Sequence, residues 1–341
     1  MHSLEIKGGS KNSTILVGES CRNIEKYLPP SGVVIIADSN VYDLYHDAFP
    51  RFRTIKIDTN ERMKSLDTVH YIINELVEME ADRSLFLLGI GGGILSDITG
   101  FIASIYMRGI SFGFVSTTLL SQVDASVGGK NGVNFRGYKN IVGVFNQPDF
   151  VICDPDMLKT LSQDELLNGC AEIIKHGAIA DKGLFEYLEN NYQGIFEMDR
   201  DVLERVVYDS VVIKSGVVNR DEKEKGERRK LNFGHTIGHA VEKVTGVSHG
   251  KAVSLGMVAA AGLSETRGLL SSSDKNRIIT LLQNMNLPVE MDADKEKVMD
   301  AMKRDKKREG DSIHFVLLDG IGKAVIENIT IRELEEYFLG A

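Results

Sequence analysis

The sequence predicts an α/β N-terminal domain built on a mainly parallel sheet, followed by a mostly α-helical domain. Three observations carry that reading. The 341 residues amount to about twice a typical domain. The first half alternates β-branched runs with helical periodicity, as a parallel sheet covered on both faces requires. After Pro155 the periodicity turns almost wholly helical, which places a boundary near residue 157 and divides the chain into residues 1–157 and 158–341.

Val33–Asp38 is a short β-branched run closing on an acid, the pattern of a buried parallel strand. Residues 54–57 form a weaker strand candidate. Over residues 65–79 the apolar side chains Leu66, Val69, Ile72, Ile73, Leu76 and Val77 recur at helical spacing. Residues 84–90 read as another buried strand and run into Gly91-Gly92-Gly93, with a helix following to about Met107. Residues 111–116 and 150–154 again read as strands. In the second half, residues 166–179, 202–218, 234–245 and 252–267 each read as a helix. A late hairpin, residues 314–318 and 324–329, precedes a last helix from Ile331.

Composition narrows the function. Forty basic against 49 acidic residues give a net charge of −9 without a dense basic stripe, which argues against non-specific nucleic-acid binding. No stretch reaches the roughly 18 uninterrupted apolar residues of a membrane span. The most apolar one, residues 252–263, is broken by Ser254, Gly256 and Gly262. The opening residues show no basic region followed by an apolar one, so no secretory leader is expected. Cys21, Cys153 and Cys170 are odd in number, scattered and without a Cys-x-x-Cys pair, as in reduced packing thiols of a cytoplasmic protein.

Four features bear on chemistry. The segment from Gly89 to Asp97, with Gly91, Gly92 and Gly93, joins a strand to a helix, where glycines let a backbone approach a pyrophosphate. It also fits a plain tight turn. Asp38 and Asn40, ending an earlier strand, fit a ribose partner, although Asp38 equally fits a helix cap. His235 and His239 stand four apart on one helix face, and His249 follows a short loop. Glu172 sits in an apolar helical stretch, where an unpaired carboxylate is costly. Lys175 three residues on satisfies it, and a metal would do so equally. One carboxylate with two histidines makes a ligand set that leaves a position open. Finally, Arg108, Lys130, Lys139, Asn140, Lys175, Lys214, Arg228 and Asn232 scatter cations and amides beside glycines and apolar residues, which fits an anionic substrate. Residues 220–230 hold ten charges in eleven positions, the pattern of a solvated helix end or loop. Together these features describe a dinucleotide-dependent, divalent-metal enzyme that oxidises an alcohol.

The run from Ser116 to Asn134, with Asp124, Gly128-Gly129-Lys130 and Asn131-Gly132-Val133-Asn134, resembles the signature of the 3-dehydroquinate synthases. Lys139-Asn140, Asn146-Gln147-Pro148, Ala171-Glu172-Ile173-Ile174-Lys175, the block from Arg229 to Ala240, His249-Gly250 and Asp305-Lys306-Lys307 follow in the family's order. The likeness spans residues 30–325. It implies an enzyme of the shikimate pathway of aromatic amino-acid synthesis, a homodimer using NAD and a divalent metal, zinc or cobalt. Such an enzyme turns 3-deoxy-D-arabino-heptulosonate 7-phosphate into 3-dehydroquinate and phosphate. Transient oxidation at C5 acidifies the C6 proton, phosphate leaves C7, C5 is re-reduced, and the opened ring closes by an aldol step.

The resemblance also assigns residues. Glu172, His235 and His249 become metal ligands, and His239 a substrate contact near the phosphate or a transferred proton. Lys130, Asn140, Lys175, Lys214, Glu224, Arg228, Asn232 and Lys306 belong to the substrate pocket, with Lys306 favoured over Lys307. Asp124 accepts a hydroxyl, and Arg108 reaches the phosphate in the partner subunit. The NAD positions are Asp38, Asn40, Glu61, Lys64, Gly92, Gly93, Asp97, Thr117, Thr118, Lys139 and Thr160. Two departures stand out: Lys251 replaces the usual acid after His249-Gly250, and Ser96 stands where glycine is common. Competing readings are another sugar-phosphate cyclase, such as a 2-deoxy-scyllo-inosose or valiolone synthase, and a metal-dependent polyol or glycerol-phosphate dehydrogenase. A nucleotide-binding module without catalysis is a third, opposed by the intact ligand set.

Overall fold

The computed structural model describes residues 1–8, 11–303, 308–309 and 312–340. The chain forms two compact units, Met1–Leu161 with Leu203–Lys223, and Ser162–Val202 with Glu224–Ala341. The re-entry of residues 203–223 into the first unit is a long-range outcome that helical periodicity does not signal.

The first unit holds the strands β1 (His2–Lys7), β2 (Asn12–Val17), β3 (Val33–Asp38), β4 (Arg53–Ile57), β5 (Phe86–Gly91), β6 (Ser111–Ser116), β7 (Lys130–Phe135), β8 (Tyr138–Phe145) and β9 (Phe150–Cys153). Seven of them make one sheet in the order β1-β2-β9-β6-β5-β3-β4. Only β1 and β2 pair antiparallel within it; the other neighbours run parallel. Every residue of β3 and β5 is buried, as their uninterrupted apolar runs foretell. Burying each such Ile or Leu side chain contributes about 1.5–3 kcal/mol over leaving it in water. The helices α1 (Ser39–Tyr45), α2 (Leu66–Glu78) and α3 (Gly93–Ile105) follow β3, β4 and β5. In α2 the spacing buries Val69, Ile72 and Leu76 and leaves Val77 exposed. Strands β7 and β8 form a separate antiparallel hairpin.

After β3 the chain steps outward to β4, then returns to the other side of β3 as β5. The carboxyl ends of β3 and β5 therefore diverge at a switch point, the place where open parallel sheets bind ligands. Asp38 ends one of these strands and Gly91-Gly92-Gly93 the other.

The second unit is helical: α4 (Gln163–Ala180), α5 (Lys182–Phe196) and the start of α6 (Arg200–Arg220), then α7 (His235–Thr245), α8 (His249–Thr266), α9 (Ser272–Asn284) and α10 (Lys295–Lys303). Strand β10 (Arg308–Glu309) joins the hairpin β11 (Ser312–Leu318) and β12 (Ala324–Thr330) in a small antiparallel sheet, and α11 (Ile331–Gly340) follows. Helix α4 begins at Ser162, whose side chain accepts from the Glu165 amide, and every residue from Leu166 to Ile179 is buried. A helix buried all round is a core helix, so any charge it carries must be partnered inside. Among the described residues no helix is long and apolar enough to cross a membrane. Cys21, Cys153 and Cys170 are buried and unbridged, and burial pushes the Cys170 thiol up to about 12.

Candidate active site

In the first unit the switch point is prepared mainly by backbone. Helix α3 starts at Gly92 without a side-chain cap, unlike α2, α4, α5 and α9, whose caps are bonded. Its first-turn amides are thus available to an anion, where the helix dipole is positive. A Cβ on Gly92 would lie 2.9 Å from Thr118 Cγ2, and one on Gly93 would lie 2.8 Å from the Ala125 Cβ. No side chain fits at either position without displacing the Thr118–Ala125 segment. These are the features a dinucleotide pyrophosphate needs, and the departure at Ser96 is harmless: its hydroxyl is buried and donates to the Gly92 carbonyl oxygen.

Asp38 is indeed a helix cap, its Oδ1 accepting from the Val41 amide at 3.0 Å, while Oδ2 accepts from the Thr59 hydroxyl. Asn40 is exposed beside it. Lys64 is buried and paired with Asp97, whose carboxyl is raised by burial against the pull of Lys64. Glu61 Oε1 accepts from Asn134 at 2.7 Å and lies 3.8 Å from Lys139 Nζ. Asn134 Oδ1 accepts from the Asn140 amide at 2.9 Å, and Asn140 takes a left-handed conformation, φ 51°. Glu61, Lys139 and Asn140 are thereby gathered through Asn134, a residue inside the signature run to which sequence reasoning gave no role. Thr117 is buried and Thr118 half-buried, while Thr160 meets the Tyr45 hydroxyl at 2.9 Å. Lys214, on α6, bonds the Asp124 carbonyl oxygen at 2.5 Å and its carboxylate at 2.7 Å. Lys130 and Arg108 are exposed.

In the second unit the side chains converge. Glu172, 0% exposed on α4, places Oε1 3.4 Å from His235 Nε2 and 3.1 Å from His249 Nε2. The three ligand atoms all lie within 4.8 Å of one another. Lys175, also buried, pairs with Oε2 of Glu172. Both satisfactions of Glu172 anticipated for it, a lysine partner and a metal-competent ligand set, are therefore present. Burial alone would push the Glu172 carboxyl up; Lys175 and the imidazoles outweigh it and hold it well below the usual range. Burial pushes His235 down. It also opposes charge on His249, but the hydrogen bond and charge of Glu172 prevail and raise it.

A divalent ion fits this donor set. His235 Nδ1 donates to the Phe233 carbonyl oxygen at 3.1 Å, which leaves Nε2 of the neutral ring as a lone pair facing a carboxylate. A cation held among the three satisfies that confrontation, and two nitrogens with one oxygen suit zinc with a position left open. The ring of His239 lies 5.3 Å from that of His235, and His239 is outside the three-residue group. Asn232 donates to Glu224 at 2.7 Å. Arg228 is 2% exposed, so the charged run is not uniformly solvated. Lys251 pairs with Asp164 at 2.8 Å. Lys306 lies outside the described residues.

Two family models match, one described as 3-dehydroquinate synthase N-terminal over residues 54–168 and one as 3-dehydroquinate synthase C-terminal over residues 169–308. A 3-dehydroquinate synthase of Thermoanaerobacter pseudethanolicus is 41% identical, covering 91% of this chain and 91% of the relative. That of Hydrogenovibrio crunogenus is 38% identical, covering 98% of each. Among solved structures, ValA, a 2-epi-5-epi-valiolone synthase from Streptomyces hygroscopicus subsp. jinggangensis with NAD+ and Zn2+ bound, matches with a TM-score of 0.88 at 28% identity over 100% of this chain and 99% of that one. A 2-deoxy-scyllo-inosose synthase complexed with carbaglucose-6-phosphate, NAD+ and Co2+ shares the fold, with a TM-score of 0.88 at 24% identity over 100% of both chains. With both halves matched by the family's models and its relatives aligned along nearly their full length, the chain belongs to the 3-dehydroquinate synthase family.

Proposed function

We propose that the chain is an NAD- and divalent-metal-dependent carbon–oxygen lyase that converts 3-deoxy-D-arabino-heptulosonate 7-phosphate into 3-dehydroquinate and phosphate. The observation that carries this reading is the convergence of half-buried His235 and His249 on the buried Glu172 in a member of this family. These residues would hold zinc or cobalt. Asp38, Asn40, Glu61, Lys64, Gly92, Gly93, Asp97, Thr117, Thr118, Lys139 and Thr160 would hold NAD. When bound, the ion supplies a Lewis acid for adjacent substrate hydroxyls and NAD a reversible hydride acceptor.

The chain's own side chains do the rest. Lys130, Asn140, Lys175, Lys214, Glu224, Arg228, Asn232 and Lys306 would bind a phosphate and a carboxylate carried by one small molecule, and fix its orientation. Asp124 would accept a substrate hydroxyl proton in a hydrogen bond. His239, close to His235 yet outside the ligand group, would be the imidazole that holds or moves a proton near the phosphate. Residues 1–157 would serve NAD, and residues 158–341 the metal and substrate. A cytoplasmic homodimer, with Arg108 reaching the phosphate bound by the partner subunit, belongs to the same proposal.

The test is phosphate release from the heptulosonate phosphate, with and without chelator and NAD. Release is expected only when both metal and NAD are present. Stoichiometric NADH without phosphate would instead identify a polyol or glycerol-phosphate dehydrogenase. The likeness in fold to the valiolone and inosose synthases supports a second reading, another sugar-phosphate cyclase. Sedoheptulose 7-phosphate and glucose 6-phosphate in the same assay discriminate it.

A further inference from the structure

Helix α8 carries His249 at its first position, yet the side chain of its own cap residue, Ser248, makes no hydrogen bond to the helix. The Ser248 hydroxyl is buried without a partner among the described residues. The cap comes from a different helix. The Gly250 amide donates to Asn168 Oδ1 at 2.7 Å in a buried hydrogen bond. Asn168 stands on α4 one turn before Glu172 and is 6% exposed. Its own amide nitrogen donates to Glu165 Oε2 at 3.3 Å, which turns the oxygen toward α8. The two backbones are in close approach: a Cβ on Gly250 would lie 2.7 Å from both the Leu167 carbonyl oxygen and the Asn168 Cα.

A first-turn amide has no partner within its own helix, and leaving it buried and unpaired is costly. The bond from Gly250 to Asn168 therefore locks the start of α8 onto α4. It does so immediately beside the two side chains that must meet, Glu172 on α4 and His249 on α8. The two imidazoles are thus placed by different means: His235 by its own ring nitrogen on the Phe233 carbonyl oxygen, His249 through the backbone that bears it.

We propose that Asn168 is a positioning residue of the metal site, its carboxamide oxygen setting the start of α8 so that His249 faces Glu172. The inference rests on the reading of Glu172, His235 and His249 as metal ligands. Groups that orient a ligand in this way typically change metal affinity by about 10- to 100-fold when removed.

The experiment compares Asn168→Leu, similar in size but without the acceptor, with Asn168→Asp, which keeps an acceptor oxygen. Co2+ affinity of the full chain is measured by competition with a chromophoric chelator, and the visible absorption of the Co2+ form is recorded. Asn168→Leu is expected to bind Co2+ about 10- to 100-fold more weakly, with an altered spectrum, and Asn168→Asp within about threefold of the parent protein. Asn168→Ala, which adds no apolar branch, carries the same expectation as the leucine variant. Unchanged affinity and spectrum in the leucine and alanine variants overturn the proposal. Equal losses in all three variants also overturn it, because the acceptor atom would then not be responsible. Glu172→Gln separates the two levels. Should it retain Co2+, the ligand reading itself fails; should it lose Co2+ while Asn168→Leu does not, only the positioning role fails.

Discussion

The glycine turn of the first unit and the ligand trio of the second are prepared in opposite ways. At the turn the chain offers backbone: uncapped first-turn amides on α3 and two glycines with no room for a Cβ. The charged side chains nearby are spent on each other, Lys64 on Asp97. In the trio the backbone is hidden inside α4 and the chemistry lies in side-chain atoms, two imidazole nitrogens against one buried carboxylate. A site stored in side chains is broken by exchanging one donor atom. A site stored in backbone and topology tolerates such exchanges and is broken instead by added volume or lost stability.

The sharpest break of this contrast is in the trio. His235→Ala is expected to lose the metal and to lower turnover by about 10³-fold or more, the scale on which removal of one electrostatic stabiliser is felt. His239→Ala should lower turnover while leaving the metal largely bound, since His239 stands outside the group. Metal content after gentle purification, read beside phosphate release, checks both. Equal metal loss in the two variants would mean that the ligands are misassigned.

A smaller effect is expected at Lys64, and it should appear as stability. Lys64 and Asp97 are 7% and 18% exposed. Removing one member of a buried pair strands the other, at a cost of about 3–5 kcal/mol. Lys64→Met should therefore lower the melting temperature, and the loss should depend on pH. Burial already raises the Asp97 carboxyl, and without Lys64 it rises further. A carboxyl raised in the folded state costs stability where it is ionised, and the cost fades as pH falls through the raised value. The gap between parent and variant should narrow on acidification. A gap constant across the pH series would show that Asp97 is not the group left stranded.

What the sequence revealed follows the same division. Strands β3 and β5 are legible because burial on both faces demands unbroken apolar runs. Hairpin β7–β8 is not, since no residue of β8 is buried and its exposed face imposes no apolar alternation. Strand β1 escapes for a similar reason, with Ile6 its only buried residue. Glu172 was legible because a carboxylate in an apolar helix needs a partner, and histidines are few. The burial of Arg228 within a run of charges was not, because burial there is decided by tertiary packing. The start of α8 at His249 rather than Ala252 was hidden as well. Ser248-His249-Gly250 reads locally as a loop, and the residue that caps the helix stands 82 positions away.

Lys251 tests how far the trio depends on its donors alone. It replaces the acid usual in the family and adds a positive charge two residues from a proposed ligand. On a helix, two residues are about 200° of rotation, so Lys251 leaves α8 on nearly the opposite side from His249. There it pairs with Asp164 at 2.8 Å, with the two side chains 35% and 65% exposed. Such a pair is worth about 0–1 kcal/mol and is screened by salt. Lys251→Ala should therefore tighten metal binding slightly, by no more than about twofold at physiological salt. Chelator competition at low and high salt reads this directly. A tenfold change at high salt would show that the field at the start of α8 sets the affinity alongside the three donors, and would erase the contrast between a site built of side chains and one built of backbone.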